Sequence, residues 1–578
     1  MFSQQLAPLG SLTLSALVGL LPLVAIFVTL GVLRWRAHWA GLASLGVAIV
    51  VAVLAFGMPM PLALLSATEG AWFGLFPIMW IVFAAIWLYQ LTVVSGRFED
   101  LRAAFGLISD DPRVQAIIIA FCFGGLLEAL AGFGAPVAIT GVMLMALGFS
   151  AIRAAVVVLL ANTAPVAFGA IATPIITAGT LTGIPYQEIG AYVGRQTPLL
   201  AFLVPLLLVL LVDGWRGVRQ TWPVAITVGI VFAVAQFVSA NYLSVELTDI
   251  VAALAGLAAA VVVLKVWTPS GGEEAQERLR GEHEAEVRRS APAPRNGPDG
   301  PDGPDGAKRA DAPMGSGRTA TGTLTERELT RGRLVMAFLP YLIVIVVFSL
   351  AKLVPPLSAA LTASDVKIPW PGLDGNVLSP SGEPISSTVY NFQWLSSPGT
   401  LLLICGFLVA LVYRVPLTRA VRELGATAYR LRFAFFTVAA VLALAYVMNQ
   451  SGQTTTIGTW IAGTGAVFAL FSPLLGWLGT AVTGSDTSAN ALFATLQQTA
   501  AEKAGLDPTL LVAANTSGGV VGKMISPQNL TIAATAVGLA GSEGDLFRRT
   551  IGWSIGLIVV LCLLVYLQST PVLGWMLP

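Results

Sequence analysis

Apolar positions in this chain come in long runs with no polar alternation. Ala201 to Val212 reads Ala-Phe-Leu-Val-Pro-Leu-Leu-Leu-Val-Leu-Leu-Val. The stretches Ala154 to Gln187, Phe433 to Ser485 and Thr550 to Pro578 contain no Asp, Glu, Lys or Arg. A bilayer core takes about 20 apolar residues per helical crossing, and about twelve segments of the chain, some short or broken, approach that length. Membrane β-strands would alternate apolar and polar residues. Helices are the remaining way to satisfy every backbone group in lipid. The pattern predicts an all-α polytopic membrane protein.

One segment breaks the pattern. Residues 268–332 hold ten Lys/Arg and twelve Asp/Glu, and Pro298 to Gly306 repeats Pro-Asp-Gly three times. Such a segment cannot bury a core and is predicted to be a disordered cytoplasmic linker. It divides the membrane part into an N-terminal half, 1–267, and a C-terminal half, 333–578. Basic residues in short loops mark the cytoplasmic side. The loops at Arg34/Arg36, Arg97 to Arg113 and Arg414 to Arg432 are rich in arginine, the last carrying five against one acid, Glu423. The loop from about 355 to 396 sets Lys367 against Asp365, Asp374 and Glu383 and is expected outside. The span ending at Gly96 then runs inward and the one beginning at Phe433 runs outward. Met1 to Leu33 carries no charge and the first arginines follow it, the reverse of a secretory signal. The N-terminus is therefore expected to be external.

The two halves share landmarks. Ala161-Asn-Thr-Ala-Pro-Val-Ala-Phe-Gly-Ala-Ile-Ala-Thr-Pro174 matches Ala514-Asn-Thr-Ser-Gly-Gly-Val-Val-Gly-Lys-Met-Ile-Ser-Pro527. Asn162/Asn515, Gly169/Gly522 and Pro174/Pro527 all stand 353 residues apart. Gly132 corresponds to Gly484, and Ser95-Gly96 to Ser451-Gly452, at nearly the same spacing. Because the flanking spans run in opposite directions, this predicts an inverted-topology repeat, with the binding site where broken helices meet near the midplane. Each half is expected to carry a re-entrant hairpin, at about 121–149 with its tip at Gly132 to Pro136 and at about 470–500 with its tip near Gly484 to Ser488. Each is also expected to carry a broken helix, at about 151–180 and 508–540, unwound at its Asn-Thr motif. The alternative, that these are small-residue packing faces, leaves the matching Asn and Ser/Thr positions unexplained.

Unwound backbone and half-helix ends attract a carboxylate. Asn162, Thr163, Asn515, Thr516 and Ser517 can hydrogen-bond a carboxylate and a hydroxyl, as can Ser485, Thr487, Ser488 and Asn490. Gly132 and Gly134 offer backbone at the first tip. These small polar groups suit a small substrate. Ionisable residues inside membrane segments are costly and usually functional. Lys523 or Arg195 is expected to balance an anionic substrate, although Arg195 also fits a charge at a cytoplasmic helix end. Asp486 or Glu128 is expected to bind a coupling proton, since desolvation favours a neutral carboxyl; Glu128 also fits a structural partner of a helix end.

Composition narrows the class. Only 11% of residues are charged, against about 25% in soluble domains, and the net charge of +1 gives no reason to expect a nucleic-acid partner. Cys122, Cys405 and Cys562 are scattered through apolar segments, and His38 and His283 lack a nearby ligand set, so neither a disulfide framework nor a metal site is expected. There is no phosphate-binding loop, dinucleotide fingerprint or histidine cluster, which argues against a membrane enzyme or an ATP-driven pump. No cofactor is expected beyond an ion gradient. A sodium-coupled carrier of another organic anion remains an alternative, through backbone carbonyls of the Asn-Thr and Ser-Thr clusters. A passive channel would not need intramembrane charge on two hairpins.

At these residues the chain resembles the bacterial lactate permease family. The runs are Glu128-Ala-Leu-Ala-Gly-Phe-Gly-Ala-Pro-Val-Ala-Ile139, Ala161 to Gly169, Gly194-Arg-Gln196, Gly484-Ser-Asp-Thr-Ser488, Asn490-Ala-Leu-Phe493 and Gly519-Val-Val-Gly-Lys-Met-Ile-Ser-Pro-Gln528. The resemblance spans nearly the whole chain. It implies proton-coupled uptake of lactate and often glycolate across the bacterial inner membrane. It also implies kinship with the ion-transporter superfamily, whose paired hairpins commonly work as elevators. A homodimer is compatible with it. The charged linker is unusual against the family pattern.

Overall fold

The computed structural model describes residues 1–33, 35–106, 108–132, 134–290, 330–380, 382–539 and 541–578. Among them, ten helices are long and apolar enough to cross a membrane. A further pair, Ala151–Ala161 with Val166–Thr182, qualifies only jointly and is bent by 64°. Large apolar side chains such as Leu54, Val262 and Leu411 stand exposed on these helices. In water such surface would be a liability; against lipid it is the expected exterior. The chain is a multi-pass membrane protein.

The elements that position the site are, in chain order, α1 (Gly124–Ala131), α2 (Ala135–Ala146), α3 (Ala151–Ala161), α4 (Gly169–Thr182), α5 (Thr197–Val238) and α6 (Thr248–Val266) in the first half. Helix α7 (Gly272–Ser290) follows. The second half supplies α8 (Phe468–Thr483), α9 (Asp486–Ala504), α10 (Pro508–Gly522) and α11 (Pro527–Ala536). The halves interlock, with α4 against α9 and α2 against α11. Among the described residues, sheet comprises two short pairs and one isolated bridge between Leu378 and Pro384. Phe2–Ser3 runs parallel to Val377–Leu378, and Val366–Pro369 runs antiparallel to Val389–Phe392, with Val366 opposite Phe392.

The charged stretch departs from expectation at its start. Residues 291–329 of the expected linker lie outside the described residues, but α7 is helical and docked. Ala275 and Leu279, one turn apart, are buried against the membrane part, a narrow apolar stripe on an otherwise charged helix. Arg278 pairs with Asp213 at 2.8 Å, Glu274 pairs with Arg216, and Arg113 donates to the Ser270 carbonyl at 2.7 Å. Asp213 is available because α5 breaks there, with Gly214 left-handed at φ 63°. Charge alone suggested a solvated chain; the anchor points belong to other elements.

Candidate functional site

Both expected hairpin positions are helix–turn–helix units. Helix α1 stops at Ala131, Gly134 turns the chain at φ 87°, and α2 begins at once with Pro136 in its first turn. A Cβ on Gly134 would lie 2.4 Å from Ile532 Cδ1, so this tip is packed hard on α11. In the second half Gly484, at φ 77°, ends α8, and Ser485 caps α9 by accepting from the Ser488 N–H at 3.3 Å. The Ser-Gly landmarks also end helices alike, with Gly96 and Gly452 left-handed at φ 75° and 88°.

The first broken helix unwinds at its motif. Helix α3 ends at Asn162, a turn and a 3₁₀ stretch (Val166–Phe168) follow, and α4 opens with Ala170, Ile171 and Ala172 left-handed at φ 44°, 56° and 56°. Each such non-glycine residue costs about 1–2 kcal/mol, so the surrounding packing must hold the segment in place.

The second motif corrects the expectation. Asn515, Thr516 and Ser517 lie inside the unbroken helix α10, and the break comes later, at Lys523–Ser526 before Pro527. Asn515 Nδ2 and Thr516 Oγ1 both donate to Asn490 Oδ1 at 3.0 Å, and Ser517 Oγ donates to Gln196 Oε1 at 2.7 Å. These side chains bond across helices instead of competing with their own backbone. The glycines serve close packing: a Cβ on Gly518 would lie 2.0 Å from the Pro473 carbonyl, and one on Gly476 1.8 Å from the Asn515 carbonyl. In this copy the small-residue packing face accounts for the motif. The two motifs agree in the interval from glycine to proline, Gly169–Pro174 and Gly522–Pro527, where both segments leave regular helix.

Those two intervals and the two tips enclose a small polar pocket. Lys523 Nζ reaches Glu128 Oε1 at 2.6 Å, joining the halves through two buried side chains. Glu128 fits a slot that only glycine leaves open, since a Cβ on Gly169 would come within 2.9 Å of Oε1. Its Oε2 has no hydrogen-bond partner, and buried Asp486 has the Thr480 hydroxyl beside its carboxyl group. Asp486 lies against α10, where a Cβ on Gly519 would stand 1.9 Å from its Oδ1. Gly132, Ala170, Ser485 and Thr487 complete the wall. The free space is about 30 Å³, room for about two waters, so an organic anion enters only if Lys523 or Glu128 gives way. Behind Lys523, Asn162 and Thr163 line an adjoining crevice with Asn529. Asn162 Oδ1 is unpartnered, and Thr163 Oγ1 donates to the Leu160 carbonyl at 2.7 Å.

Of the other expected residues, Ser488 is buried beside the Ser485 cap, and Asn490 donates to the Pro174 carbonyl at 3.2 Å. Asn515, Thr516 and Ser517 stand one layer back. Arg195 is elsewhere: it donates to Asn241 Oδ1 at 2.9 Å and to the Met576 carbonyl at 2.7 Å, over the Phe237 ring. Residues not anticipated from sequence are Ser526 and Asn529, which hold the second break. Ser526 Oγ donates to the Lys523 carbonyl at 2.9 Å, and Asn529 Nδ2 donates to Ser526 Oγ at 2.8 Å. Ser before Pro, the ordinary start of a helix, was the available signal. Asp249, at the head of an apolar helix, was also passed over.

The profile of the L-lactate permease family matches residues 15–572. The L-lactate permease of Bacillus subtilis is 41% identical, with all of both chains covered. The glycolate permease GlcA of Escherichia coli is 41% identical over 98% of each chain, and the L-lactate permease of the same species is 38% identical over all of both. Among solved structures, the YdaH transporter of Alcanivorax borkumensis covers 88% of each chain at 13% identity and a TM-score of 0.43, too loose a likeness to argue from. These full-length relatives are permeases, so the chain is a transporter and not an enzyme. Matched from end to end, it belongs to the L-lactate permease family.

Proposed function

We propose that the chain takes up lactate, glycolate and similar small 2-hydroxy monocarboxylates across the bacterial inner membrane, each with a proton. The names of its relatives support the substrate class. The observation that carries the coupling is the buried Lys523–Glu128 pair with unpartnered carboxylate oxygen beside it. The substrate carboxylate displaces Glu128 from Lys523. A lone carboxylate is costly away from water, so the freed Glu128 takes up a proton, and anion and proton cross together without net charge. Asp486 is a second proton-binding group at the pocket wall. Ser485, Thr487, Ser488, Asn162 and Thr163, with the backbone at Gly132 and Gly134, receive the substrate's carboxylate and hydroxyl. Asn515, Thr516 and Ser517 fix α10 against α9.

In this reading the two helix–turn–helix units are re-entrant hairpins, the halves are inverted repeats, and the hairpin-bearing elements move together as in an elevator. The matching Gly-to-Pro breaks support it. The N-terminus then lies outside.

The test uses purified protein in liposomes and labelled L-lactate, D-lactate and glycolate. A pH gradient, alkaline inside and without sodium, is expected to drive accumulation, and a protonophore to abolish it. Accumulation driven by a sodium gradient at equal pH, and by no pH gradient, would overturn the coupling.

A further inference from the structure

Behind Glu128, outside the pocket wall, lies a third buried acid. Asp249 is fully buried in the first turn of α6, and neither carboxylate oxygen has a hydrogen-bond partner. A first-turn aspartate ordinarily serves the free N–H groups of the helix start; this one accepts from none of them. Its position follows from antiparallel packing. A Cβ on Gly256 would lie 3.5 Å from Cys122 Sγ, and one on Gly125 lies 3.6 Å from Ala253 Cβ. Three residues forward on α1 and about one turn back on α6, the same register sets Glu128 against Asp249. Lys523 is within electrostatic reach of both. Of the other described elements packed on α6, α5 brings no ionisable group between Thr221 and Val238, α4 brings none, the π-helical stretch Ala116–Phe123 brings only the Cys122 thiol, and the stretch Ser239–Leu243 brings only the exposed Tyr242 phenol. Nearby Glu246 is occupied by Tyr186 and Ser244.

One ammonium thus faces three carboxyl groups, Glu128, Asp249 and Asp486. It cannot neutralise all three, and buried charges persist only when balanced. We infer that Asp249 is a proton-relay residue of the transport site. When substrate leaves and Glu128 returns to Lys523, the proton on the Glu128 carboxyl passes to one oxygen of the neutral Asp249 carboxyl as Asp249 gives up the proton on its other oxygen toward the side where substrate was released. Glu128 becomes the anion that Lys523 needs, and Asp249 stays a neutral acid. This rests on the proton-coupled reading above.

The test separates proton movement from substrate movement. In liposomes, Asp249→Asn is expected to slow pH-driven net lactate uptake by about 100-fold, the scale of a lost proton-transfer group, while lactate–lactate exchange at equal pH changes by about twofold or less. Asp249→Glu is expected to recover part of net uptake with a shifted pH profile. In infrared difference spectra, the carboxyl signal evoked by lactate is expected to lose a component in Asp249→Asn. Unchanged net uptake overturns the inference, as does parallel loss of uptake and exchange in a monodisperse variant. If Asp249→Asn does not assemble, an Asp249→Glu pH profile identical to that of the unmodified protein overturns it. Failure of the coupling itself shows differently, as sodium-driven uptake in the unmodified protein.

Discussion

Lys523→Met removes the ammonium from a pair whose charged atoms lie 2.6 Å apart, with both side chains less than a tenth exposed. Methionine is also unbranched, so the loss is charge and hydrogen bond more than volume. Glu128 is then left without a partner at either oxygen, because Oε2 has none to begin with. Breaking a buried pair from one side costs about 3–5 kcal/mol. Glu128→Gln keeps shape and an acceptor oxygen for Lys523, which also has the carboxyl groups of Asp486 and Asp249 within electrostatic reach, so it costs less, about 1–3 kcal/mol. The double variant removes both charges and strands neither. It is expected to be more stable than Lys523→Met alone, with a coupling of about 1–3 kcal/mol. Thermal unfolding of the four proteins, purified in one detergent without substrate, gives the ranking, and uptake in liposomes gives the functional arm. At about 1.4 kcal/mol per tenfold, loss of a pair of this strength to the substrate carboxylate lowers uptake by Lys523→Met at least about 100-fold, and restoring stability in the double variant does not restore transport. A double variant as unstable as the two singles combined, or uptake surviving in Lys523→Met, would refute the reasoning.

Gly519→Ala drives a methyl to 1.9 Å from Asp486 Oδ1; since the obstacle is the end of a side chain, folded protein is expected with uptake reduced by about tenfold or more, the scale of a displaced site group, and normal uptake would contradict the placement of Asp486. Gly476→Ala meets the Asn515 carbonyl at 1.8 Å, where backbone must move, and is expected to cost at least the about 1–3 kcal/mol of overpacking, seen as loss of folded protein in membranes. Ala172→Gly relieves a left-handed alanine and is expected to add about 1 kcal/mol of stability, raising the thermal midpoint; a fall would show that the backbone strain is not as described. Cys122 and Cys405, both about fully buried, are expected to resist a water-soluble maleimide until the protein unfolds, and rapid labelling would disprove their burial.

The crossings were legible in the sequence because lipid imposes one rule on every residue of a span. Runs such as Ala201–Val212 carry that rule locally, and the breaks at Gly169–Pro174 and Gly522–Pro527 are marked by the residues that cause them. Glu128, Asp486 and Lys523 stood out for the same local reason, since a charge in an apolar segment is conspicuous wherever its partner lies. What tertiary structure decided was pairing. Nothing near Glu128 announces that its partner is Lys523 of the other half. Asn162 ends a helix while Asn515 sits inside one, because Asn490 and the close approach of α8 absorb the second motif. Arg195 has the chemistry of a substrate cation, but Asn241 and the Met576 carbonyl hold it. A residue's chemistry is written in its own side chain, but whether that chemistry is spent or free depends on neighbours hundreds of positions away, and only the folded chain brings them within bonding distance.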